Sequence, residues 1–226
     1  MMESVGVTRC VVAVDGPSGS GKSTVSRRLA AALDSAYLDT GAMYRAVTWA
    51  VLRAGVELDD PDGIAKVAAE VELESGTDPD DPHIRADGVA VDGPIRGPEV
   101  TGAVSAVAAV PAVRRTLVAR QRAIIAAADR IVVEGRDIGN VVAPEADLKV
   151  FLTAAAHERA RRRSAQDATE HAATAADLAR RDRLDSTRAA DPLQFAPDAI
   201  EVDTTTMDID AVVLKLRDLV AERTAR

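Results

Sequence analysis

The chain has 226 residues, 47% apolar and 28% charged, enough for one domain, or one with an insertion, around a sizeable core. A net charge of −8 argues against a protein that works mainly on DNA or an anionic membrane, and 2% aromatics leaves no stacking platform for single-stranded nucleic acid. The sole cysteine, Cys10, rules out an intrachain disulfide and a thiolate metal site, and its apolar neighbours predict a buried, inert thiol.

The opening "MMESVGVTRC" lacks the basic flank and apolar stretch of a signal peptide, and no apolar run approaches 18 residues. A cytoplasmic chain without a membrane span is expected. From residue 10 the elements follow in order. "CVVAV", 10–14, is a short apolar run closed by Asp15-Gly16-Pro17, as a buried parallel strand would be. The pattern turns helical from Lys22 to Leu33, with Val25, Leu29, Ala32 and Leu33 on one face. "AYL", 36–38, predicts a short strand and 41–54 a second helix.

Between 60 and 97 Gly, Pro and Asp become frequent, and Asp87-Gly88 between β-like runs predicts a hairpin in a small inserted α+β lobe. Residues 98–128 predict two helices broken at Pro111. "RIVVEG", 130–135, and "LKVFLT", 148–153, are further buried strands. Segments 155–167 and 172–186 are helical and arginine-rich, 199–204 is a last strand and 208–224 a closing amphipathic helix. Alternating strands and helices predict a parallel sheet covered on both faces, with ligands beyond the carboxyl ends of its strands.

One motif carries chemistry by itself. "GPSGSGKST", Gly16-Pro17-Ser18-Gly19-Ser20-Gly21-Lys22-Ser23-Thr24, follows a strand and opens a helix, the context that a phosphate-binding loop requires. Its glycines let the backbone amides turn inward around an anion, and the helix adds its positive dipole end. Lys22 supplies an ammonium for the β and γ oxygens, and Ser23 a hydroxyl for Mg²⁺. Only four lysines occur among 28 basic residues, so a lysine at this position stands out. The loop therefore binds a nucleoside triphosphate. No N-K-x-D string for a switch GTPase occurs, and the strand at 130–134 ends in Glu134 alone, without the paired carboxylates of a motor ATPase.

A transferase acting on a small acceptor needs a second pocket with mobile cations. Three stretches offer one. In "LDTGAMYR", Thr40 either caps the following helix or holds an acceptor phosphate, with Arg45 close by. Tyr44 either packs on the acceptor or fills the core. In "EGRDIG", Arg136 and Asp137 follow a strand, as a solvated loop pair or as ligand contacts. In "RRDRLDSTR", Arg181, Asp185 and Arg188 recur at helical spacing, as a salt-bridged surface or as a binding face. Eight arginines between 159 and 188 in an acidic chain suit a small polyanion in a local pocket.

The strings "DGPSGSGKST", "LDTGAMYR", "VSAVAAVPAVR", "EGRDIG", "FLTAAAHERARRR" and "RRDRLDSTRAADPL" together resemble the bacterial cytidylate kinases, over nearly the full length and in the same order. The resemblance implies an α/β fold: a P-loop kinase core with a five-stranded parallel sheet flanked by helices, plus a small α+β monophosphate-binding insertion and a short helical lid. The core would span 1–59 and 98–226, the lid about 155–170 and the insertion 60–97. It implies ATP as phosphoryl donor, Mg²⁺, and CMP or dCMP as acceptor, with no nucleic-acid or membrane partner. Thr40, Arg45, Arg136 and Arg181 match positions that grip the acceptor phosphate. Ser105, Arg114, Asp137 and Arg188 match the cytosine contacts, and Asp185 the ribose contact. Arg159, Arg162 and Arg163 match lid positions near the transferring group, and "DTTT", 203–206, resembles the turn by the adenine. Thr40 stands where serine is expected, and Glu134 where aspartate is. Another small-molecule P-loop kinase and a nonenzymatic nucleotide-binding module remain as alternative readings. No exposed heptad or extra apolar stripe calls for a partner chain, so a monomer is expected.

Overall fold

The computed structural model describes residues 9–167, 171–187 and 191–224. Its centre is β1 (Cys10–Asp15), an uninterrupted run of buried residues. Then follow α1 (Lys22–Ala32), β2 (Ala36–Asp39), α2 (Thr40–Arg53) and α3 (Pro61–Glu70), and three short strands, β3 (Leu73–Ser75), β4 (Ile84–Ala86) and β5 (Val89–Ala90). The chain continues through α4 (Pro98–Ala109), α5 (Pro111–Ala127), β6 (Arg130–Glu134) and β7 (Leu148–Thr153). It ends with α6 (Ala156–Asp167), α7 (His171–Thr187), β8 (Ile200–Asp203) and α8 (Ile209–Thr224).

The five strands expected outside the inserted lobe form one parallel sheet in the order β2-β6-β1-β7-β8. Alternation along β1 divides the core between the two faces. Val11 and Ala13 join residues of α2, α3, α4 and α5, whereas Cys10, Val12 and Val14 join Val25 and Leu29 of α1 and Val212, Leu216 and Val220 of α8. Cys10 is 3% exposed and burial pushes its thiol up, which agrees with the inert reading. Register sets the ends of the strands level: Asp39 pairs with Glu134, Val14 with Glu134, and Thr153 with Asp203. The carboxyl edge of the sheet is therefore a row of acidic and hydroxyl side chains.

β3, β4 and β5 make a second, antiparallel sheet, and Asp87 and Gly88 turn the expected hairpin with φ of 49° and 74°. Ile84, Ala86, Val91 and Ile95 from this stretch pack in the same core as Met43, Val47 and Val51 of α2, so the lobe shares its interior with the sheet. The break at Pro111 bends α4 against α5 by 95°. Proline lacks the N–H that a continuous helix would need, and it holds Val110 in an extended conformation (φ −74°, ψ 117°). Among the described residues no single helix is long and apolar enough to cross a membrane.

Candidate active site

The phosphate loop leaves β1 at Gly16, whose φ is 146° and whose hypothetical Cβ would lie 2.1 Å from the carbonyl oxygen of Leu152 on neighbouring β7. Only glycine fits that approach. At the other end Gly21 is the N-cap of α1 with φ 90°, and no side chain caps the helix, so its first amides and dipole face the loop. Lys22 is 6% exposed and its Nζ donates to the carbonyl of Pro17 at 2.7 Å. Burial lowers its ammonium to about 7, Arg136 adds to that, and Glu134 and Asp15 oppose it.

Glu134 ends β6 at 3% exposure. Burial raises its carboxyl to about 7, with Asp39 adding repulsion, while Lys22 and hydrogen bonds from Tyr37 and Ser23 pull it down. Ser23 is exposed in the first turn of α1, so a hydroxyl and a carboxylate meet beside the loop. Asp15 accepts from the amides of Ile138 and Gly139, each at 2.8 Å, which pins the π-helical turn Ile138–Val142 behind "EGRD".

A cavity of about 880 Å³ opens over this edge. Its lining includes Ser18, Gly19, Ser20, Gly21, Lys22, Ser23 and Thr24 of the loop, and Thr40, Tyr44, Arg45, Ser105, Arg114, Arg136, Asp137, Arg181 and Asp185 from five other segments. Gly16 and Pro17 complete the turn from behind. Three stretches that are far apart in sequence thus meet as expected.

Two local expectations change. Asp39, not Thr40, caps α2, its carboxylate accepting from Ala42 N at 2.9 Å. Thr40 lies inside the first turn, and its hydroxyl donates to the carbonyl of Glu134 at 2.7 Å. Tyr44 packs against the core, as one of its two readings expected, and its side chain also lines the cavity. Arg45 is braced by the Ile95 carbonyl at 2.9 Å and the Thr101 hydroxyl at 3.0 Å. Arg136 reaches Ser18 Oγ at 2.7 Å and Asp185 at 3.1 Å, bridging the phosphate loop to α7. Also in the cavity wall, Arg114 is ion-paired with Asp137, both nearly enclosed.

Of the lid arginines, Arg162 lines the cavity and grips Thr204 through its hydroxyl (3.0 Å) and carbonyl (2.7 Å). Arg159 lies to the side of the cavity, bonded to the Ser18 carbonyl at 2.9 Å and to Asp182. The backbone of Arg163 lies in α6, and Arg188 lies outside the described residues. Thr204, Thr205, Thr206, Met207 and Ile209 close the cavity on the same side as Arg162. Sequence reasoning missed Asp182, which accepts from Ser18 N at 3.1 Å as well as pairing with Arg159. Its signal was there: Asp182 precedes Asp185 by three residues and shares its helix face. It also missed Tyr37 and Asp15, whose strand neighbours are not legible along the chain. Among the described residues no group of three or more His, Cys, Asp or Glu is placed to hold a metal ion.

With this geometry in place, comparison with known proteins is decisive. The family model described as cytidylate kinase matches residues 12–222. The chain belongs to the cytidylate kinase family. Within that family it is 57% identical to a cytidylate kinase of Nocardia farcinica over 96% of this chain and 95% of the relative. It is 55% identical to one of Rhodococcus jostii over 96% and 97%. Among solved structures, an uncharacterized protein from Eubacterium ventriosum has a TM-score of 0.54 at 10% identity, covering 95% of this chain and 99% of that one. That likeness concerns the fold. Every segment of the family member that lines the cavity falls inside the matched range.

Proposed function

We propose that this chain phosphorylates CMP and dCMP with ATP, giving CDP and dCDP, and that it does so as a Mg²⁺-dependent enzyme. The observation that carries this reading is the shared cavity, lined at once by the phosphate loop, by Arg45, Arg136 and Arg181, and by the Arg114–Asp137 pair, in a member of the cytidylate kinase family. We read residues 60–97 as the monophosphate lobe, which reaches the cavity through Ile95 and Arg96, and about 155–170 as the lid.

An oxygen of the CMP phosphate attacks the γ phosphorus of ATP as the bond from that phosphorus to the β–γ bridging oxygen breaks, and ADP leaves. The nucleophile is already anionic, so no general base is required. Lys22 and the loop amides hold the donor phosphates. Thr40, at the start of α2, lies beside the acceptor phosphate, while Arg45, Arg136 and Arg181 hold it in line, and these three cations offset charge on the transferring oxygens. Arginine suits the task because its planar fork takes two phosphate oxygens at once. Arg159, Arg162 and Arg163 bring further cations from the lid, and closure excludes the water that would hydrolyse ATP. Ser23, backed by Glu134, would hold Mg²⁺, since an exposed hydroxyl beside a carboxylate matches its preference for oxygen. Held there, the ion would supply positive charge to offset that of the donor phosphates.

Arg114, Ser105, Asp137 and Arg188 read the base, and Asp185 the ribose. Asp137 accepts from the cytosine amino group, whereas Arg114 and Ser105 donate to N3 and O2. Uracil presents O4 and N3–H instead, and each buried mismatch costs about 1–3 kcal/mol. The expected setting is the cytoplasm, and the expected state a monomer. ADP release from ATP with Mg²⁺ and a panel of nucleoside monophosphates tests the proposal. Turnover with CMP and dCMP, and little with UMP, is expected; absence of turnover with CMP would overturn it.

A further inference from the structure

The guanidinium of Arg114 is fixed on three sides. Nη2 donates to Oδ2 of Asp137, Nε donates to Oδ2 of Asp191 at 2.7 Å, and the Tyr44 ring lies 5.6 Å from the guanidinium carbon. Only 3% of the Arg114 side chain is exposed, and its Nη1 is buried without a hydrogen-bond partner. A planar group bonded at two of its three nitrogens cannot turn in its own plane. The direction of Nη1 is therefore set jointly by the two carboxylates.

Asp137 adjoins Arg136 in the motif after β6, but Asp191 comes from 77 residues beyond Arg114. The backbone holds it in place deliberately. Its φ is 48°, a left-handed conformation that aspartate tolerates better than most residues. Two residues on, Leu193 N donates to the Asp185 carbonyl at 2.8 Å, and Asn140 Nδ2 donates to the Gln194 carbonyl at 3.0 Å. The first bond ties the segment to the end of α7, whose Asp185 pairs with Arg136. The second ties it to the turn that follows Asp137. Asp191 is thus anchored between the phosphate-gripping and base-facing parts of the cavity.

We propose that Asp191 is a positioning residue that determines base specificity: by holding Arg114 Nε, it aims Nη1 at the base of the acceptor nucleotide. This rests on the reading of the cavity as a CMP site. Nη1 can only donate, so it suits cytosine, where N3 and O2 both accept, and opposes the N3–H of uracil. With Asp191 neutralised or removed, the guanidinium is free to pivot about its bond to Asp137. A pivoting donor accommodates either base less well and distinguishes them less sharply.

The test compares wild type with Asp191→Asn, Asp191→Ala and Asp191→Glu, using CMP and UMP as acceptors at saturating ATP. Asp191→Asn is expected to raise KM for CMP and to lower the CMP/UMP ratio of kcat/KM, each by about tenfold, the effect of one charge-assisted hydrogen bond. KM for ATP should move by less than about twofold, because the donor is assigned to the phosphate loop and not to the Arg114–Asp137 pair. Asp191→Glu should restore part of the ratio. In an Arg114→Lys background, which lacks the fork, adding Asp191→Asn should change the ratio no further. Calorimetric binding of CMP and UMP reads the same ratio without turnover. An unchanged CMP/UMP ratio in both Asp191→Asn and Asp191→Ala would overturn the role of Asp191 alone. So would KM values for CMP and ATP that rise together while the ratio holds. A wild-type chain that neither binds nor turns over CMP would overturn the CMP reading itself, and this role with it.

Discussion

The hydroxyl of Tyr37 donates to Oε1 of Glu134 across 2.5 Å, joining neighbouring strands β2 and β6 at the carboxyl edge of the sheet. Burial holds the Glu134 carboxyl up near 7, and this bond pulls the other way, favouring the carboxylate that faces Lys22 and Ser23. Tyr37→Phe keeps the ring in the core and deletes only the donor. It should cost about 1–3 kcal/mol at pH 9, where Glu134 is ionised, and clearly less at pH 5, where the carboxyl carries its own proton. Urea midpoints at the two pH values check this, and equal losses would contradict it.

Asp15 gives a pH dependence of definite sign. Burial raises its carboxyl from 3.8 to about 6, and the nearby Asp137 adds to the rise against the two backbone amides. The folded chain then binds a proton more tightly than the unfolded chain between those values. The contribution of this group is present in full below about pH 4 and is lost as pH rises through 6, by at most about 3 kcal/mol. Asp15→Asn should remove that slope from a plot of unfolding free energy against pH, leaving the other titrating groups to shape the curve.

Gly16→Ala probes the close approach of β1 and β7. The added methyl would meet the Leu152 carbonyl, and alanine resists a φ of 146°. A loss of about 2–4 kcal/mol is expected, together with weaker ATP binding because the loop must shift. Thermal unfolding and nucleotide titration measure both effects.

Arg136 touches Ser18 on the phosphate loop and Asp185 on α7, so its fork bridges the loop and that helix. Arg136→Ala should lower kcat/KM for CMP by about 10²–10³-fold. Arg136→Lys restores the charge without the two-pronged geometry and should recover only part of that loss. Steady-state rates with CMP varied decide it.

Arg162 holds Thr204 by two hydrogen bonds, and both residues line the cavity. Arg162→Ala should loosen the turn at 204–208 and raise KM for ATP by about tenfold while leaving KM for CMP within about twofold. A matching rise in KM for CMP would show that the turn serves the acceptor instead.

Much of this site is legible along the chain because its causes are local. Glycines at 16, 19 and 21 before Lys22 and Ser23 form an anion nest whatever else the protein does, and β1, β6 and β7 are largely apolar runs with turn residues nearby. The role of Thr40 was not legible in the same way. Its capping reading gave way to Asp39 because the strand continued one residue further, which brought the Asp39 carboxylate to the helix start and left the threonine hydroxyl facing Glu134.

The order of residues by itself determined which chemical groups this sheet edge has to offer: a phosphate loop, a hydroxyl–arginine helix start, and aspartates interleaved with arginines. Tertiary structure alone decided their partners. Whether Asp182 meets Arg159, Asp185 meets Arg136 or Asp191 meets Arg114 depends on where α7 and the segment after it come to rest across the sheet edge. Those pairs join residues 23 to 77 positions apart. A charge pattern states what can pair, but Coulomb attraction falls with distance, and distance is set by packing the whole chain around its shared core.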